Sequence, residues 1–176
     1  MSRVHPLDVP VRLATSGDTA TVRDLLGGQP ALVILTRHMD CPYCEVYVGR
    51  VLGAHDDLGR VIIVGHGTPD ELAAHHADLP HEVVLVADAD QSLYRAFQTR
   101  RLDRASQLRI RLRSIPVGVR HLLRRGRLVR PGQDLLQLGG DAVVEPDGTI
   151  RWLHLSQRAD DRPSIATLRT HMHRAA

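Results

Sequence analysis

The sequence predicts an α/β fold: a mixed β-sheet flanked by helices, opened by an N-terminal β-hairpin and interrupted by a basic helical insertion. Three observations carry this. The runs Ala31–Leu35 and Val61–Val64 are continuously apolar and bounded by turn formers, the pattern of strands buried on both faces. Helical patterns alternate with those runs, which is the order of a sheet covered on both sides. Near the C-terminus the spacing changes to strict alternation around Pro146-Asp147-Gly148, as in an antiparallel hairpin. The 176 residues suffice for one full core and suggest a single domain over 1–176. Aromatic residues are only 3% of the chain, so that core is built from Val, Leu, Ile and Ala.

In chain order, Val9–Ala14 and Thr19–Val22 read as a hairpin around Ser16-Gly17-Asp18. The central strand Ala31–Leu35 leads into a helical pattern from Pro42 to about Leu58, with Val46, Gly49, Val51 and Leu52 on one side. A second strand covers Arg60–Val64. Thr68-Pro69-Asp70-Glu71 then opens a helix, with an N-cap, a proline at the first position and two acids in the first turn. His81–Val86 is a third strand and Gln91–Gln98 a short helix. The last hairpin pairs Asp141–Glu145 with Thr149–Leu155, and Pro163 starts a terminal helix carrying Ile165, Leu168 and Met172.

Cys41-Pro42-Tyr43-Cys44 falls where a buried strand hands over to a helix. The first thiol therefore sits at a helix N-terminus, where unsatisfied amides and the helix dipole stabilise a thiolate, lowering thiol pKa values from about 8.5 to roughly 3.5–7.5. Arg37 and His38 add positive potential and Asp40 opposes it. Cys44, one turn on, is placed to resolve a mixed disulfide formed at Cys41. Two other readings exist: half of a zinc site, or two inert buried thiols. Zinc requires two more ligands, and His55, His66, His75, His76 and His81 form no clear pair around the motif. A CxxC at such a junction favours redox chemistry on a thioredoxin-like α/β fold, with no metal and no cofactor.

The residues also carry a resemblance. Val9–Cys44, with its Thr-Val-Arg-Asp-Leu, Gly-Gly-Gln-Pro and Val-Ile-Leu-Thr-Arg-His-Met-Asp-Cys-Pro-Tyr-Cys, resembles the entry of AhpC/TSA (peroxiredoxin-like) proteins. Val86–Tyr94 and Leu138–Ile150 are similar to later segments of the peroxiredoxin-like-2 branch, including the double glycine. The resemblance covers roughly residues 9–98 and 135–173. It implies an antioxidant thiol oxidoreductase that acts on a peroxide or disulfide and is reset by a small-molecule thiol or a thioredoxin-type reductant; a homodimer is compatible with it. Typical members place Pro seven residues and Thr or Ser three residues before the attacking cysteine, where this chain has Ile34 and His38. Thioredoxins carry a cis-proline opposite the CxxC. Gly139-Gly140 stands at the corresponding loop here, either to let a partner approach the backbone or as a plain turn. The supporting set around Cys41 and Cys44 is thus Arg37, His38, Pro42, Tyr43, Gly139 and Gly140.

Basic charge is concentrated in one segment. The chain has no Lys, and Arg95–Arg130 holds twelve of its Arg against one acid, Asp103. Leu108, Leu112, Ile115, Val119 and Leu122 recur there at helical spacing, with Pro116 between two helices, so a helical insertion is expected over about 99–132. It reads first as a solvated face packed on the sheet edge, and secondarily as a dock for an acidic partner. Nucleic acid is disfavoured because few aromatics are present to stack bases. His171 and His173 fall on different helix faces and His154 reads as a satisfied strand residue, so neither suggests a metal. No segment resembles a signal peptide or a membrane span, which points to the cytoplasm. Beside the oxidoreductase reading stand a non-catalytic adaptor using the Arg-rich insertion and a specialised pathway enzyme on the same scaffold.

Overall fold

The computed structural model describes residues 5–38, 41–75, 79–80, 82–102 and 134–174. Expectations for Asp40, His76, His81 and most of the Arg-rich insertion, including its Leu stripe, lie outside the described residues. The strands are β1 (Pro10–Leu13), β2 (Thr19–Thr21), β3 (Ala31–Leu35), β4 (Arg60–Gly65), β5 (Val83–Ala87), β6 (Gly140–Val144) and β7 (Ile150–Leu155). The helices are α1 (Val22–Leu25), α2 (Pro42–Leu52), α3 (His55–Leu58), α4 (Pro69–His75), α5 (Ser92–Ala96) and α6 (Ile165–His173).

All seven strands form one mixed sheet in the order β2-β1-β5-β4-β3-β6-β7. The β3, β4 and β5 strands run parallel, whereas β1 joins β5, and β6 joins β3, antiparallel. Central β3 is buried at every position, as its unbroken apolar run requires. Its side chains alternate between two cores. Leu32 and Ile34 meet Tyr47, Val48, Val51 and Leu168, while Ala31, Val33 and Leu35 meet Leu7, Leu26, Leu93 and Phe97. Truncating such a residue to Ala costs about 2–5 kcal/mol.

Several local expectations change. Residues after Thr21 form α1 rather than extending the strand, because the Thr21 hydroxyl accepts from the Asp24 amide and the Asp24 carboxylate accepts from the Thr21 amide. The stretch from Pro42 breaks at Gly53-Ala54 into α2 and α3 instead of running on to Leu58. Its buried stripe is Cys44, Tyr47, Val48 and Val51, and Val46 is 55% exposed. That stripe follows the i, i+3, i+4, i+7 rule starting from the second cysteine, so α2 turns Cys44 into the core. β5 begins at Val83 rather than His81. Thr68 and Glu71 make the reciprocal cap expected at the start of α4, and Ser164 caps α6 through the Thr167 amide.

Candidate functional site

β3 ends at Leu35, and the short segment Thr36-Arg37-His38 carries the chain over the end of the sheet towards α2. Thr36 and Arg37 are fixed there by pairing with groups that are themselves buried. Thr36 donates through its hydroxyl to the Val64 carbonyl at 3.0 Å. Burial holds the His66 pKa below the ordinary value, although the Arg37 backbone acts the other way. The His66 Nε2 has no partner among the described residues, and its ring meets Tyr94 edge-on at 5.8 Å.

Cys41 is the N-cap of α2 and Pro42 its first residue, where a missing N–H costs nothing. Pro42 and Tyr43 are half-buried in the first turn, and His38 is buried beside Arg37. Both cysteines are thiols rather than a disulfide, and both are closed off from solvent, Cys41 at 0% and Cys44 at 4% exposure.

Arg37 joins the two sulfurs. Its amide donates to Cys44 Sγ at 3.3 Å and its guanidinium Nη1 to Cys41 Sγ at 3.6 Å. The remaining guanidinium nitrogens donate to the carbonyls of Gln137 and Leu135, at 3.3 and 3.0 Å. Gln137 lies in, and Leu135 just before, a stem formed where Arg100–Leu102 pairs with Leu136–Leu138 through the hydrogen bonds Leu102 N to Leu136 O and Leu138 N to Arg100 O. The two flanks of the Arg-rich segment are thus tied to the cysteine site.

A second guanidinium comes from the other side. Arg162, in the segment before α6, donates to the carbonyls of Leu35 and Gly140 and to the Asp141 carboxylate, at 2.8, 3.2 and 3.0 Å. It lies 5.2 Å over the Tyr47 ring, while the Tyr47 hydroxyl donates to the other Asp141 oxygen at 2.7 Å. Burial works against the Arg162 charge, but Asp141 and Cys44 more than offset it and raise its pKa. Gly139 and Gly140 are close to this network. A Cβ at Gly139 would overlap the Leu35 carbonyl and the Arg162 guanidinium, and one at Gly140 would come within 2.8 Å of the His154 carbonyl. The close approach these glycines permit is made by the chain's own groups.

The consequence for the thiols differs from the expectation of a depressed Cys41. The Cys41 side chain, with the Arg162 charge and the Arg37 amide, lowers the Cys44 pKa to about 6 against the cost of burial. Cys41 is correspondingly pushed up, by Cys44 and then by burial, although the Arg37 charge and the Cys44 amide act in its favour. The two thiols titrate as one coupled pair, which gives up its first proton more readily than an ordinary thiol does. Arg162, Asp141, Tyr47, Gln137 and His66 were not singled out by the sequence. The one available signal was Asp141, an acid inside the otherwise apolar Gly140–Val144 strand, which demands a buried cation. Among the described residues, no three His, Cys, Asp or Glu side chains gather as a metal site, and no helix is long and apolar enough to cross a membrane.

A family model described as AhpC/TSA antioxidant enzyme matches residues 37–158, a span that takes in both cysteines, Arg37 and the β6–β7 hairpin. The chain belongs to the AhpC/TSA family. No curated protein matches it. Among solved structures, a cysteine-to-serine mutant of peroxiredoxin 6 of Arenicola marina is similar at a TM-score of 0.66 and 12% identity, covering 94% of this chain and 69% of that one. Peroxiredoxin Q of Xanthomonas campestris is similar at 0.60 and 17%, covering 97% and 94%. MTB dsbF, solved in mixed oxidised and reduced forms, is similar at 0.57 and 17%, covering 99% and 100%. At these identities the likeness shows the fold, and this AhpC/TSA chain has a thioredoxin-like α/β fold.

Proposed function

We propose that this AhpC/TSA chain is a thiol-dependent oxidoreductase in which the Cys41–Cys44 pair reduces a peroxide or disulfide bond and is then reset by a thiol reductant. The supporting observation is the sulfur pair itself: two buried thiols one helical turn apart, both bonded by Arg37, with the buried Arg162 guanidinium adding its charge to Cys44. Inert core cysteines have no need of charged partners, and a buried Arg is costly unless it faces an anion.

In this reading Cys41 attacks. The Cys44 thiolate takes the Cys41 proton, and the Cys41 anion, held by Arg37, displaces an alkoxide from a hydroperoxide to leave a sulfenic acid. The proton on Cys44 passes to the alkoxide, giving an alcohol. Cys44 then closes the disulfide and releases hydroxide. The sum is one thiol, one thiolate and one hydroperoxide giving one disulfide, one alcohol and one hydroxide. With a disulfide substrate, the leaving groups are a thiol and a thiolate. Arg37, His38, Pro42, Tyr43, Gly139 and Gly140 support the pair by holding its charge and shape.

The test is turnover of peroxide and of a model disulfide by the Cys41→Ser and Cys44→Ser variants. Cys41→Ser is expected to abolish turnover, and Cys44→Ser to accumulate a trappable adduct at Cys41. Both variants turning over like the parent would refute the proposal.

A further inference from the structure

We propose that Arg162 and Asp141 set the redox poise of the cysteine pair, favouring its reduced form so that the disulfide yields readily to a low-molecular-weight thiol. This rests on the oxidoreductase reading above and adds to it the class of reductant.

Charge carries the assignment. Arg37 acts on both sulfurs and Arg162 on Cys44, and Asp141 is bonded directly to Arg162. Tyr47 and Tyr94 face the same site but stay neutral, because burial raises both, and burial holds His66 below its ordinary value. With one thiolate present, two cations meet two anions. Disulfide formation removes two electrons and one proton from the pair. The thiolate charge disappears, and the buried cations outnumber the anions by one. An unpaired buried cation is unfavourable, and a couple whose reduced form is stabilised in this way is oxidising, so its disulfide is easily reduced.

The geometry identifies Arg162 as the adjustable part. It is held by three acceptors, its side chain is 6% exposed and that of Asp141 is 0% exposed, so neither charge can turn to solvent. Arg162 lies over Tyr47, one turn beyond Cys44 on the same buried face of α2, and adds its charge to Cys44, while Asp141 pairs with that charge. Removing one charge or the other therefore moves the couple in opposite directions, which a merely structural role would not do. Both are positioning residues: they act through the sulfurs and not on a substrate.

The experiment equilibrates the full chain in glutathione redox buffers, followed by acid quench, alkylation and mass-resolved counting of the Cys41–Cys44 disulfide. Asp141→Asn has nearly the same shape and still accepts from Tyr47, and it is expected to move the equilibrium about tenfold towards the dithiol. Arg162→Gln is expected to move it about tenfold towards the disulfide, each tenfold being about 30 mV for a two-electron couple. Arg162→Lys, which keeps the charge, should fall between Arg162→Gln and the parent. Shifts of the same sign in the Gln and Asn variants, or of less than about twofold in either, would overturn the electrostatic assignment. A parent disulfide that resists glutathione and yields only to dithiothreitol would overturn the assignment of reductant. If the parent forms no Cys41–Cys44 disulfide even in the most oxidising buffer, the oxidoreductase reading itself fails, and that outcome is distinct from the others.

Discussion

Gly139 lies against the Arg162 guanidinium so closely that a single added methyl group would occupy the same space. The residue before β6 is therefore glycine because the Leu35 carbonyl and the Arg162 guanidinium both stand where its Cβ would be. Gly139→Ala is expected to push Arg162 off the Leu35 carbonyl and Asp141, destabilising the fold by about 1–3 kcal/mol as an overpacked site. Urea unfolding measures the loss, and thiol alkylation should show the Cys44 pKa rising at the same time.

Arg37 joins the site to the stem of the Arg-rich segment, so its removal has two separable effects. Arg37→Met keeps the amide on Cys44 but takes the guanidinium from Cys41 and from the Leu135 and Gln137 carbonyls. The apparent thiol pKa of the pair should rise by about one to three units, as for loss of a cation in contact with a thiolate. Hydrogen exchange should speed up at the Leu102 and Leu138 amides, which close the stem. A faster stem with unchanged thiol reactivity would show that Arg37 is structural only.

The pH dependence of stability follows from Cys44. Its folded pKa is about 6, below the 9.0 of an unperturbed thiol. Between those values the unfolded chain binds one more proton than the folded one, so stability rises with pH across that window and is lost as pH falls through about 6. Neutral buried His66 also favours higher pH, but its effect lies at and below its ordinary 6.5 and does not depend on redox state. Thermal unfolding of the reduced protein from pH 6 to 9 should therefore show a rise in Tm that the Cys44→Ser variant lacks.

The sheet could be read from the sequence because its strands are local signals. The five apolar residues of β3 need burial on both faces, and Pro146-Asp147-Gly148 sits in the turn between β6 and β7. Helix details were harder to read. Val46 is apolar yet faces out, since the stripe of α2 is set by Cys44 and Tyr47, and the Thr21–Asp24 cap was hidden in what looked like a continuing strand. The cysteine pair was visible at once. The charge of Arg37, four residues before Cys41, was legible too, but the rest of the electrostatics was not, because Arg162 and Asp141 are brought to the site by strand pairing and a loop crossing, with Arg162 reaching Leu35 across 127 residues. No spacing rule spans that distance. The position at the helix N-terminus by itself points to Cys41, whereas in the fold the lowered pKa falls to Cys44.

The most direct measurement treats the reduced chain, under anaerobic conditions, with one equivalent of tert-butyl hydroperoxide and follows the peptide spanning Cys41 and Cys44 by mass spectrometry. Loss of two hydrogens from that peptide is expected, with simultaneous disappearance of iodoacetamide labelling at both thiols. Persistence of both thiols through many equivalents of peroxide, and equally of a model disulfide, would contradict a redox role for the pair.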